Sequence, residues 1–427
     1  MFYKILIRLL ILLGVFTQLW NQNLPVHAQS VDDLKAKISS KNDEIKNIEA
    51  EINRLDKEVK NTQITGQTLN TELKQADAIK KRLDVDIKLT IKKIDVTSLN
   101  ITSIESNIVD KNAGIDSGQA GISESLRLIN EAEKYSLLET ILSGANLSTI
   151  WSQISELETL QNETAEHIQN LKFLKKELQD NKIKLETERT VTAKLKGQLA
   201  DQRKIALQTI QTKNKLITDT KNKESNFKKL LAESEIRKAA VGSELLQYES
   251  ELKITLDQSK IPVSGTKVLS WPLDSTYITQ YFGLTEFSKT QPIYNGRGHN
   301  GIDLRASIGT ALRASAAGIV LGTGDTDPIC YGASYGKWIM IDHENGLATI
   351  YGHLSLSKVY QGQRVDRGEL IGYTGRSGYA IGPHLHFTVA ATQAIKIGNL
   401  KSKVKGCGTY TIPLGPFNGY LNPLLYL

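Results

Sequence analysis

The chain has 427 residues and a formal net charge of +7, a length that allows two or three domains. The charge is not a nucleic-acid footprint. Residues 261–427 carry 14 Lys and Arg against 9 Asp and Glu, residues 1–28 add two cations, and the region between balances 37 against 37. No basic stripe is interleaved with aromatic residues, as nucleic-acid binding would require. The modest positive charge of the C-terminal part suits an anionic polymer, or solubility alone.

Lys4 and Arg8 precede an apolar run from Leu9 to about Phe16, and a polar stretch follows that ends Val26-His27-Ala28. This is the order of a secretory signal peptide, with cleavage after Ala28. An uncleaved membrane anchor is the alternative, although the apolar run is short for a spanning helix. Either way the remainder lies outside the cytoplasmic membrane, in the periplasm or cell envelope.

Between Pro25 and Pro262 there is no proline, and 24 of the 32 glycines lie beyond residue 260. A long stretch free of proline and rich in Lys, Glu, Leu and Ile is what a long helix tolerates. Apolar residues recur at spacings of three and four in Ile45, Ile48, Ile52, Leu55 and Val59. They do so again in Leu83, Ile87, Ile94, Ile101, Ile104 and Ile108, with Thr90 and Thr97 in the missing register positions. Such a seam predicts a coiled coil over residues 29–260. Gly114, Gly118 and Gly121 are expected to loosen the helix, and residues 137–151 concentrate Leu137, Leu138, Ile141, Leu142, Leu147, Ile150 and Trp151 around Gly144. The predicted arm is therefore an antiparallel hairpin, out along 31–135 and back along 152–257, with its tip near Gly144. A parallel dimer of one continuous helix is the competing arrangement.

From residue 261 onward the glycines and prolines predict a compact domain rich in turns. Five of the seven histidines lie here: His299, His343, His353, His384 and His386. In Pro383-His384-Leu385-His386-Phe387-Thr388-Val389, alternation marks a strand with Leu385, Phe387 and Val389 in the core. His384 and His386 then share the other face, roughly 7 Å apart. In His299-Asn300-Gly301-Ile302-Asp303, a straight strand would leave His299 and Asp303 too far apart for one ion, so a bend at Gly301 is expected. Tyr351-Gly352-His353-Leu354 closes a predicted hairpin with its turn at Asn345-Gly346. Clustered histidines with an aspartate point to a metal site. His343, in Ile341-Asp342-His343-Glu344, reads as structural or exposed, while Arg305, Tyr281 and Tyr294 are candidates to line a cleft.

These three pieces occur in order, together with the glycines Gly368, Gly372, Gly375 and Gly382. In this combination the segment from about Val268 to Leu425 resembles the LytM/lysostaphin-type zinc endopeptidases of the peptidoglycan wall. The resemblance implies a multidomain chain: an α-helical coiled coil followed by an all-β duplicated-hybrid-motif peptidase domain over 261–427. It implies Zn2+ held by His299, Asp303 and His386, with His353 and His384 as the catalytic pair. Three protein ligands leave a fourth position open, as catalytic zinc requires. A coiled coil joined to such a domain also resembles the murein hydrolase activators, which have lost zinc ligands; this chain keeps the full set. In those activators the coil docks on a membrane partner of the division machinery and a helical segment covers the groove. The apolar residues 137–151 are thus a candidate contact for such a partner, and the arm is expected to restrain the peptidase.

Cys330 and Cys407 are the only cysteines, an even count in an exported chain, and a disulfide between them is expected.

Overall fold

The computed structural model describes residues 25–64, 68–133, 147–252, 254–290 and 297–427. Four long helices come first: α1 (Pro25–Ile64), α2 (Leu69–Glu133), α3 (Leu147–Thr220) and α4 (Glu224–Glu251). Two compact units divide the chain. One gathers the described residues up to Glu49 with Lys88–Leu199; the other gathers Ala50–Ile87 with Ala200–Leu427. The second unit therefore combines the β-rich domain with parts of all four helices.

In the first unit α1 and α2 run antiparallel, with Lys92 on Glu44 at 2.7 Å and Lys93 on Glu49 at 3.4 Å. α2 and α3 are also antiparallel, joined by Lys111–Glu177 at 2.5 Å and Glu105–Arg189 at 3.0 Å. The expected hairpin is this α2/α3 pair. Residues 31–135 are not one outgoing helix, because α1 doubles back on α2. The threonines in the seam are satisfied rather than defective: Thr192 and Thr97 bond hydroxyl to hydroxyl at 3.0 Å, and Thr97 also donates to the Ile94 carbonyl. Gly114 and Gly118, expected to loosen the helix, do not interrupt it. They stay inside α2, beside Leu174 and Leu171 of α3. The predicted tip lies mostly outside the described residues; within it, Trp151 on α3 is exposed.

The second unit is built on a large antiparallel sheet. Its order is β1 (Ile278–Gln280), β2 (Ile302–Arg305), β10 (His384–Ala391), β6 (Leu347–Gly352), β5 (Lys337–Asp342), β4 (Gly318–Asp325) and β8 (Arg364–Val365). Strand β13 (Tyr420–Leu421) also pairs with β10. A smaller sheet takes β3 (Ala311–Arg313), β9 (Leu370–Thr374) and β7 (Leu354–Ser357), and β11 (Lys396–Lys401) pairs with β12 (Thr409–Leu414). Leu385, Phe387 and Val389 are fully buried in the main core with Ile302, Leu304 and Tyr351, as the alternation required. The β5–β6 connection is a four-residue loop, His343–Gly346, rather than a two-residue turn at Asn345-Gly346. Glu344 and Gly346 both take positive φ there.

Helical segments pack on two faces of this domain. Val59, Ala78, Ile79, Leu83, Ile205 and Ala206 bury themselves against Leu356 and Tyr373. Arg376 grips Glu72 with both guanidinium nitrogens at 2.7 and 3.2 Å, and Lys358 pairs with Asp201. On the other face Val241, with Leu245 and Tyr248, packs on Leu400, Tyr410, Ile412 and Leu414 of the β11–β12 hairpin. Glu244 accepts there from Ser402 Oγ and Lys403 N. Cys330 and Cys407 form a disulfide that ties this hairpin to the loop after β4.

Candidate metal centre

Strand register brings the predicted residues together. β10 lies between β2 and β6, with His386 opposite Asp303 on one side and Gly352 on the other, and His384 opposite Arg305. His299 precedes β2 and returns to the centre through the bend expected at Gly301. The reason for glycine there is close approach, not a left-handed backbone. A Cβ at Gly301 would lie 2.5 Å from the Phe387 carbonyl oxygen on β10. His353 follows β6 directly with φ of +62°, and its N–H donates to the Tyr335 carbonyl at 2.8 Å. This left-handed turn swings its ring toward β10, 4.7 Å from His384 and 5.7 Å from His386 between centroids.

His299 Nε2, Asp303 Oδ1 and His386 Nδ1 converge. The separations are 3.0 Å for His299–His386, 3.0 Å for His386–Asp303 and 3.3 Å for His299–Asp303. Each of the three is a buried donor of the type a metal ion takes. The imidazoles are oriented from behind. His299 Nδ1 meets the Tyr281 carbonyl at 3.1 Å, His353 Nδ1 the Ser377 carbonyl at 2.8 Å, and His384 Nδ1 the Gly382 carbonyl at 2.8 Å. A carbonyl only accepts, so each of these Nδ1 atoms carries the proton and each Nε2 offers its lone pair in the opposite direction. His386 is turned the other way round: Nδ1 faces the centre and Nε2 lies 2.9 Å from Thr388 Oγ1.

Burial pushes Asp303 toward the neutral form, but its electrostatic and hydrogen-bond interactions with the surrounding imidazoles of His299, His384 and His386 outweigh it. The carboxylate is held well below its usual range. Burial lowers His386 to about 4 and, with His384 and His386 beside it, takes His353 well below the ordinary histidine value. Both rings stay neutral at pH 7. A neutral imidazole can ligate a metal or accept a proton; an imidazolium can do neither.

These residues open into a cavity of about 960 Å³. Its lining includes Arg305, whose guanidinium lies 4.1 Å over the Tyr277 ring. Helix residues line it as well: Asp56, Val59 and Arg82 on one side, and Val241, Leu245 and Glu249 of α4 on the other. Glu249 is buried, and its carboxyl accepts from Tyr420 Oη at 2.6 Å. His343 is structural: it is buried, bonded at Nδ1 to the Ala317 carbonyl and at Nε2 to Thr349 Oγ1. Tyr281 contributes its carbonyl while its side chain is exposed, and Tyr294 lies outside the described residues. Sequence reasoning missed Tyr335, Ser377 and Glu249. Their link to the site is made only by folding, and no local motif announces it.

A family model described as "Peptidase family M23" matches residues 297–397, a span that contains His299, Asp303, His353, His384 and His386. The C-terminal domain is an M23 peptidase domain. Curated relatives align over the same region. The DD-carboxypeptidase/endopeptidase Mpg of Neisseria meningitidis serogroup B is 41% identical over 117 residues, 27% of this chain and 25% of that protein. The cell division protein DipM of Caulobacter vibrioides is 30% identical over 139 residues, 33% and 20% of the two chains. The peptidoglycan DD-endopeptidase ShyA of Vibrio cholerae is 40% identical over 89 residues, 21% and 19%. The chain thus spans about a quarter or less of the length of these relatives, and the likeness is that of the M23 domain alone.

Proposed function

We propose that the M23 domain is a zinc-dependent endopeptidase that hydrolyses the peptide cross-bridges of peptidoglycan. The observation that carries this reading is the convergence of His299 Nε2, Asp303 Oδ1 and His386 Nδ1 within one buried cluster. The imidazoles of His353 and His384 border it. The three atoms fit zinc by donor type and number, and they leave a coordination position for water. Bound zinc would lower the pKa of that water and polarise the scissile carbonyl. His353, kept neutral by burial, is able to accept a proton, and its Nδ1 bond to Ser377 fixes which nitrogen does so. His384, on the same strand as His386 and 4.7 Å from His353 between ring centroids, can hydrogen-bond the substrate oxygen as charge develops on it only through a protonated Nε2, since its Nδ1 already donates to the Gly382 carbonyl.

The peptidoglycan assignment rests on the likeness to ShyA, named a peptidoglycan DD-endopeptidase, supported by Mpg, named a DD-carboxypeptidase/endopeptidase, and DipM, named a cell division protein. Export follows from the N-terminal sequence, and a division-machinery partner for residues 137–151 from the activator-like architecture. The alternative function, non-catalytic activation of other murein hydrolases, leaves a complete set of five site residues without a use. The test is digestion of purified peptidoglycan by the full mature chain, with and without a chelator. New amino termini released only with metal are the expected result. Equal release with chelator, or none at all, rejects the proposal.

A further inference from the structure

Arg305 ends β2 beside the metal centre. Ile302 and Leu304 are fully buried in the core. The strand's period of two therefore turns Asp303 and Arg305 to the opposite face, about 7 Å apart. Register sets Arg305 directly across from His384 on β10, just as Asp303 is set across from His386. Cross-strand partners share a face, with Cβ atoms about 5 Å apart. Arg305 thus extends the row of site residues by one position, and it lines the same cavity.

Its side chain differs from the other arginines of this domain. Residues 261–427 contain six arginines. Arg297, Arg313, Arg364, Arg367 and Arg376 each donate to a carbonyl or a carboxylate. Among the described residues Arg305 makes no ion pair, and its guanidinium donates to no acceptor. The exposed guanidinium is nevertheless held in place. It lies 4.1 Å over the Tyr277 ring, and the Arg305 backbone N–H donates to the Tyr277 carbonyl at 2.9 Å. A ring face steadies a cation without consuming its N–H groups. The cavity's own carboxylates do not take them. Asp56 serves Arg82 and Ser307, Glu249 accepts from Tyr420, and Asp303 faces the imidazoles. Asp274 also lines the cavity, beyond ion-pair distance of Arg305.

The donor fork therefore points to an acceptor carried by the substrate. The proposed substrate is a peptide, whose anionic groups are carboxylates. A guanidinium takes a carboxylate by two parallel N–H···O bonds. We propose that Arg305 is a specificity-determining residue that pairs with a free carboxylate of the wall peptide close to the scissile bond. The spacing of about 7 Å from Asp303 is what an extended peptide covers in two residues. The inference rests on the peptidase reading above.

The test uses the full chain on native peptidoglycan and on the same material with its carboxylates converted to carboxamides. Binding is read by co-sedimentation with a chelator present to stop hydrolysis, and hydrolysis is read separately with metal. Thermal unfolding confirms that each variant is folded. Wild type should bind the amidated material about 10-fold more weakly, the usual weight of a hydrogen bond to a charged group. Arg305→Gln should bind both materials alike at that weaker level, and on native material its KM should rise with little change in kcat. Lys396→Gln removes the same charge from an exposed position on β11 and should keep the wild-type preference. Full preference for native material in Arg305→Gln overturns the proposal, as does equal binding of the two materials by wild type. Loss of the preference in Lys396→Gln also overturns it, by reducing the effect to net charge. Discrimination through Arg305 with no metal-dependent release of amino termini would support the carboxylate contact and reject the peptidase reading, so the two failures are distinguishable.

Discussion

Asp303 and His386 face each other directly across neighbouring antiparallel strands, their Oδ1 and Nδ1 atoms 3.0 Å apart. The pairing makes the two residues inseparable, because a register shift of one residue would turn either side chain to the opposite face. His384, one pleat along the same strand, is presented to the same cleft without joining the three-atom cluster.

That division predicts separable losses. His386→Ala should abolish both zinc binding and wall hydrolysis. His384→Ala should lower hydrolysis by roughly 10²- to 10⁴-fold, the usual weight of a proton-transfer or polarising group, while most of the zinc stays bound. Metal analysis and clearing of a peptidoglycan suspension measure the two effects. Full activity in His384→Ala would remove it from the catalytic pair.

Glu249 gives the α4 contact a pH dependence. Burial raises its carboxyl from near 4.5 to about 7, against the hydrogen bond from Tyr420 and the charge of Arg297. A raised value means the docked state retains a proton that the undocked state releases. Docking is therefore strongest below about pH 4.5 and loses this contribution as pH rises to about 7, in all about 3 kcal/mol. Hydrogen exchange of α4 amides should speed up between about pH 5 and pH 8. Glu249→Gln should flatten the change, and an unaltered profile in that variant would assign it to other groups.

The arm is predicted to restrain the peptidase. Val241 and Leu245 pack on the β-rich domain while Leu245 and Glu249 border the cavity at the metal centre, so α4 would narrow the entry of a substrate of the proposed peptidase. Val241→Asp with Leu245→Asp in the full chain places charges in a buried contact and should free the helix. Faster digestion of the same peptidoglycan is the expected outcome. An unchanged rate with demonstrably released α4 would leave the arm as a tether.

The Cys330–Cys407 disulfide closes a separation of 77 residues, and by loop-closure entropy its removal costs at most about 4–5 kcal/mol. Reduction should lower the midpoint of thermal unfolding. Mass spectrometry of non-reduced protein should show two hydrogens fewer than after reduction. Two freely alkylatable thiols in native protein would refute the bridge.

Much of the site was legible because its chemistry is local. His384 and His386 alternate with Leu385 and Phe387 on a strand of period two, and the hydrophobic residues fix which face the imidazoles take. The coiled-coil seam was legible for the same reason, as spacings of three and four along one helix. Sequence alone also specified the disulfide partners, since two cysteines allow a single intramolecular pairing. The doubling back of α1, the reason for glycine at Gly301 and the role of Thr388 were not legible, since each depends on what another segment brings alongside. Gly301 is required by the Phe387 carbonyl, 86 residues away in sequence (387 minus 301). Glu249 reads in sequence as one more acidic residue on a charged helix. Only tertiary packing, by burying its carboxyl and setting Tyr420 against it, brings it to the cavity beside the centre.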